Sequence, residues 1–208
     1  YSNADLSGNA LKFTDLVELG FPENQISEIS QEIENLKKLE ILFLYSNLIK
    51  QLPSQIGDLP KLRHARFSHN QLTQLPPEIG NLKNLDALYL DYNYLTKLPP
   101  EIGNLSNLKF LMLAHNQLTE LPPEIGKLKK LKLLSVADNK ITRLPPEIGN
   151  LKNLVVLDVG RNQLVGLPQE IKSLKNLLWL NAEGMVFTRR AIVNLRGVFP
   201  WFDAVMND

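Results

Sequence analysis

The residues able to do chemistry are few and widely spaced. The chain has three histidines, no cysteine, and 23 basic against 22 acidic residues. Thiol chemistry, disulfides and cysteine-ligated zinc are therefore excluded. A Ser-His-Asp set can be sketched from Ser68, His64 and Asp91, but nothing in the sequence supplies an oxyanion hole or a closed pocket around it. His69 and His115 stand in one register two strands apart, about 10 Å, and His64 lies about 16 Å along its strand from His69. Neither pair can chelate one ion, so no metal and no cofactor are expected. Glu78, Glu101, Glu124 and Glu147 recur in the same hexapeptide, LPPEIG. A carboxylate there suits the positive end of a short helix, and no unit gathers the convergent oxygens that calcium needs. No glycine-rich phosphate loop occurs. The expectation is a protein that is not an enzyme.

What positions these side chains is a repeat. Leucine stands at 36, 59, 82, 105, 128, 151 and 174, with a second leucine three residues later each time. Isoleucine recurs from 33 to 171 and proline from 53 to 168 on the same 23-residue period. Asparagine keeps step at Asn24, Asn47, Asn70, Asn93, Asn116, Asn139 and Asn162. Registers locked to one period cannot come from composition. Phe13, Leu16, Leu19 and Phe21 extend the pattern backwards, giving eight units over residues 13–187 with atypical ends. Within a unit, the alternation Leu88-x-Leu90 predicts a short strand with leucines inward and the intervening residues outward. Pro99-Pro100 cannot extend a sheet, and Gly103 is expected to permit the chain reversal.

Segments such as LKNLDALYLDYNYLTKLPPEIG (residues 82–103) resemble the leucine-rich repeat family. The LPPEIG turn and the period are similar to its Ras-suppressor, plant intracellular Ras-group and bacterial, leptospiral-type members. The resemblance implies an α/β solenoid, a curved horseshoe with a parallel sheet on the concave face and short helical or extended turns on the convex face. It also implies that each asparagine is buried, its amide bonding backbone of its own and the next turn. Stacking buries an apolar edge that no unit could bury alone.

The ends depart from the pattern. Residues 1–12 read as a tag remnant followed by an N-terminal cap or partial repeat. Met185 takes the asparagine slot, and residues 188–208 read as a C-terminal cap. There Thr188 caps a helix over 189–198, Pro200 ends it, and Ile192, Phe199 and Phe202 cover the last repeat.

Repeats supply an internal control, because outward strand positions escape the demands of the scaffold. The middle outward column runs Gly20, Phe43, Arg66, Tyr89, Met112, Ser135, Asp158, Asn181. Beside it lie Ile41, His64, Phe110, Leu133, Val156 and Trp179 on one side, and Tyr45, Ser68 and Asp91 on the other. His69, Tyr92, Tyr94, His115 and Arg161 line the loop edge. An apolar and aromatic surface rimmed by polar groups marks an interaction site. Arg66 is expected to stack between Phe43 and Tyr89, with Asp91 near enough to pair. The candidate partner-binding residues are Phe43, Tyr45, His64, Arg66, Tyr89, Asp91, Tyr92, Phe110, Met112, His115, Leu133, Asp158 and Trp179.

Three readings follow. One is a monomeric protein-binding module, either a signalling scaffold or a bacterial secreted protein directed at a host protein. A second is a glycan- or peptidoglycan-binding surface protein, with tyrosines stacking on sugars. A third is a structural repeat fragment of a larger protein. The near-zero net charge gives no global field for nucleic acid, and no apolar run is long enough to span a membrane. The compartment stays open, with a bacterial secreted or cell-surface setting preferred to the cytoplasm.

Overall fold

A computed structural model describes residues 14–185 and 197–199. Eight three-residue strands form one parallel sheet in strict chain order. They are β1 (Glu18–Gly20), β2 (Ile41–Phe43), β3 (His64–Arg66), β4 (Ala87–Tyr89), β5 (Phe110–Met112), β6 (Leu133–Ser135), β7 (Val156–Asp158) and β8 (Trp179–Asn181). Every pairing keeps the same register, each residue lying beside the one 23 positions later, as Arg66 beside Tyr89. The sheet is thus the repeat written in space.

Each strand but the last is joined to the next through a five-residue 3-10 turn on the opposite side. These turns span Gln31–Asn35, Ser54–Asp58, Pro77–Asn81, Pro100–Asn104, Pro123–Lys127, Pro146–Asn150 and Gln169–Ser173. Proline suits the first position, where the N–H would be unpaired in any case. Between sheet and turns lies one continuous apolar core. Leu85, Leu88, Leu90, Leu95, Ile102 and Leu105 are fully buried, and their counterparts in the other central coils repeat them.

The glycine of the five central turns serves a different purpose from the one its position suggested. Gly103 does not adopt a left-handed conformation. A Cβ there would lie 2.4 Å from the Glu124 carbonyl oxygen of the next coil, and Gly57, Gly80, Gly126 and Gly149 stand in the same relation to their neighbours. These glycines let convex turns approach each other; they do not reverse the chain.

The asparagine column also differs from expectation in direction. The Asn116 amide nitrogen donates to Leu113 O (3.1 Å) and Ala114 O (3.2 Å) in its own coil, and to Leu90 O (2.9 Å) in the preceding one. Its Oδ1 accepts from Leu95 N, also in the preceding coil. The cross-coil bonds therefore run backward, not to the next turn. Asn47, Asn70, Asn93, Asn139 and Asn162 repeat this set. The expected burial holds from Asn47 to Asn139, while Asn24 and Asn162, near the ends of the stack, are half-buried. Asn24 has only its own Pro22 carbonyl as a partner among the described residues. Phe199 is buried as part of the core. The expected cap helix, with Ile192 and Phe202, and the segment 1–12 lie outside the described residues.

Candidate functional site

The chain turns each corner after a strand with a left-handed residue just before the asparagine. These residues are Glu23, Ser46, His69, Tyr92, His115, Asp138 and Arg161, with φ between 51° and 56°. Non-glycine residues pay about 1–2 kcal/mol for that conformation. The corner offsets this by aiming each N–H at the next coil, as Tyr92 N at Ala114 O (2.9 Å) and His115 N at Ala137 O (3.0 Å). It also turns the following asparagine inward. A rim of side chains results along one edge of the sheet. His69, Tyr92 and His115 stack as rings with centroids 4.2 and 4.1 Å apart. The series continues through Asp138, 3.6 Å from His115, to Arg161, whose guanidinium pairs with Glu183 at 3.2 Å. The gap between His69 and His115 is filled by a tyrosine ring.

On the outward face of the sheet, Phe43, Tyr45, His64, Tyr89, Phe110, Met112, Leu133 and Val156 are half-buried, while Arg66 and Trp179 are exposed. Trp179 keeps 44 % of its surface and Tyr92 47 %. The large side chains shelter small ones between them, so Ser68, Ala87, Ser135 and Ala137 are buried although they point outward. Not every outward position is free to vary.

Arg66 is positioned differently from the sequence expectation. Its guanidinium carbon sits 4.4 Å from the Tyr45 ring centroid and 5.9 Å from that of Tyr89. The first of these rings lies two residues past Phe43, just beyond the end of β2, because the arginine side chain leans along the strand direction. Asp91 forms no ion pair with it. The Asp91 carboxylate instead accepts from Ser68 Oγ (3.4 Å) and Ala114 N (3.2 Å). Burial pushes its pKa up, opposed by those hydrogen bonds and by the charge of Arg66. Asp158 is similar. It accepts from Gly160 N (3.2 Å) and Ser135 Oγ (3.4 Å), and burial raises its pKa. Both carboxylates are partly desolvated, and neither has a cation within ion-pair distance among the described residues.

A row of alternating charges, absent from the sequence expectations, lies on the opposite edge. Asp86 is bridged by Arg63 (2.7 Å) and Lys109 (2.8 Å) from the coils on either side. Burial works against its charge, but the two cations outweigh it and hold its pKa below the usual range. The signal was present: residues 63, 86 and 109 share one register and alternate in sign.

Catalytic readings gain nothing from the geometry. Ser68 bonds Asp91, but no hydrogen bond links His64 to either. No cluster of three metal-ligating side chains occurs among the described residues. The recesses flanking the sheet, such as the one lined by Arg63, Asn84, Asp86 and Lys109, lie on its edge, away from the aromatic face. No described helix is long and apolar enough to cross a membrane.

In-register three-residue strands, a buried asparagine column and 3-10 turns define a leucine-rich-repeat solenoid. The leucine-rich repeat region family matches residues 54–131 and 124–197, and the chain belongs to it. Solved structures agree. A leucine-rich-repeat protein of Leptospira interrogans is similar at 36 % identity and TM-score 0.72, over 92 % of this chain and 55 % of that one. An internalin of Listeria monocytogenes is similar at 27 % and 0.76, over 88 % and 52 %. The plant peptide hormone receptor RGFR1, solved in complex with RGF2, is similar at 37 % and 0.77, over 84 % and 29 %. The chain thus spans about half the length of the two bacterial proteins. No curated protein sequence matches it.

Proposed function

We propose that the chain is a non-catalytic module that docks a protein partner on the concave face of its sheet. The observation that carries this is the run of half-buried apolar and aromatic side chains across β2 to β8, ending in the exposed Trp179. Side chains of this kind, held on a rigid frame, lose little entropy when a partner covers them. A structural relative, RGFR1, is solved with RGF2 bound, which supports a polypeptide occupant.

A protein partner is favoured over a glycan by the rings themselves. Both faces of Tyr92 are taken by His69 and His115, and Arg66 covers one face of Tyr45 and lies near Tyr89. A sugar needs open ring faces to stack on. On these three tyrosines ring edges and hydroxyls remain, which suit a polypeptide, whereas Trp179 and Tyr94 keep exposed rings. The setting we favour is a bacterial protein directed at a host protein, ahead of a signalling scaffold.

The test is a cross-linked capture comparing the parent with Tyr89→Ala/Phe110→Ala and with an outer-edge control, Thr96→Ala/Lys97→Ala. The captured partner is then titrated against each. The face variant should bind more than tenfold more weakly, as for interface hot spots, while the control binds as the parent. Equal affinity across all three rules out the face. A glycan-array signal abolished by the face variant replaces the protein partner with a sugar.

A further inference from the structure

One row of the concave face carries a charge order. Arg66 on β3, Tyr89 on β4, Met112 on β5, Ser135 on β6 and Asp158 on β7 are successive register partners. They form one row across the strands with a cation at one end and a carboxylate at the other. Four strand steps at ~4.8 Å place the ends about 19 Å apart. Between them the row is aromatic and thioether, with Ser135 buried and contributing only its bond to Asp158. The parallel row Phe110–Leu133–Val156–Trp179 walls it on one side.

The two ends are prepared for opposite charges. Arg66 is exposed, held by Tyr45 and Tyr89, and has no carboxylate within ion-pair distance among the described residues. A guanidinium resting on rings keeps N–H donors for an acceptor from outside. Asp158 has the converse deficit. Its partners are a backbone N–H and the neutral Ser135 and Asn181 side chains, and the nearby Asp138 repels it. By contrast, Asp86 on the sheet edge is bracketed by two cations. Arg161 feels the charge of Asp158 but is bonded to Glu183, so no cation pairs with Asp158 among the described residues, and its carboxylate is left for one from outside.

We propose that the concave row takes an extended polypeptide segment in one polarity, its carboxylate over Arg66 and its lysine or arginine over Asp158. This rests on the docking reading above. An extended chain advances about 3.3 Å per residue, so the two charges stand about six residues apart, with apolar side chains between them over Tyr89 and Met112. A segment laid the other way sets carboxylate against Asp158 and cation against Arg66, and like charges at close range suppress it. The apolar wall on one side only makes the two chain directions inequivalent, so the order of the charges along the segment is fixed as well.

The test pans a random dodecapeptide library on phage against the parent and four variants. The parent should enrich peptides with an acidic and a basic residue about six apart in one N-to-C order. Arg66→Gln should lose the acidic enrichment alone, and Asp158→Asn the basic enrichment alone. Arg66→Glu/Asp158→Lys should invert the order. If that charge swap melts the fold, the two neutral variants carry the test. An unchanged order in a folded swap variant, or no ordered pair in the parent pool, overturns the proposal. Clones that lose binding to Tyr89→Ala/Phe110→Ala yet show no charge order refute the polarity and leave the docking reading standing. Clones indifferent to that variant refute both. A library yielding no binder also overturns the polarity, since a chain-like occupant is its premise.

Discussion

The buried asparagine column and the row from Arg66 to Asp158 stand on the same frame and share its register, yet one repeats a single residue and the other repeats none. Every asparagine from Asn47 to Asn162 meets the same four backbone groups. The two hydrogens of its amide are shared among three carbonyls and its oxygen takes one N–H, a set that only a short primary amide satisfies without leaving buried groups unpaired. The concave row meets water, so the frame places almost no demand on it. Constancy within one chain therefore reports an obligation of the backbone, and variation reports freedom. Ser68 and Ser135 mark the limit of that rule, being outward yet buried under larger neighbours.

The comparison can be broken most sharply at Asn116. Asn116→Ala should cost about 3 kcal/mol, because buried carbonyls and the Leu95 N–H lose their partner. A urea midpoint equal to the parent's would contradict the ladder. Gly103→Ala should cost about 2 kcal/mol by forcing a methyl group against the Glu124 carbonyl. If it stabilises the protein instead, as replacing a merely flexible glycine does, close approach is not the reason for glycine there. Asn24→Ala should cost well under ~1 kcal/mol, the size of one ordinary hydrogen bond, since that residue keeps only its Pro22 contact. A loss as large as at Asn116 would show that the column's identity matters for a reason other than the bonds between coils.

The smallest effect concerns pH. Burial raises the pKa of Asp158, so its ionised form is a cost to the folded state. That cost is present above the folded pKa and fades as pH falls through it, so acidification relieves the parent there. Asp158→Asn removes the relief. The stability difference should move toward the parent between neutral and mildly acidic pH, read as urea midpoints at both. A parallel pH dependence for the two proteins would remove the desolvated-carboxylate account. Asp86 acts in the opposite sense, its contribution being lost as pH falls through its lowered pKa.

The sequence by itself determined the period, the number of strands, the inward leucines and isoleucines, the asparagine column and the membership of the outward columns. A repeat fixes these because each coil must solve the same burial problem, and the solution is written at one spacing. The tertiary structure decided what depends on distances between coils and on rotamers. It showed that Gly103 is small for the sake of Glu124, that the asparagines bond backward, and that Arg66 rests on Tyr45 in place of Phe43. It also showed that Tyr92 fills the gap between two histidines, and that Asp158 lacks the cations that Asp86 has. A side chain several ångströms long can lean toward any of several neighbours that register brings equally close. The period names those neighbours, and only packing and charge in three dimensions choose among them.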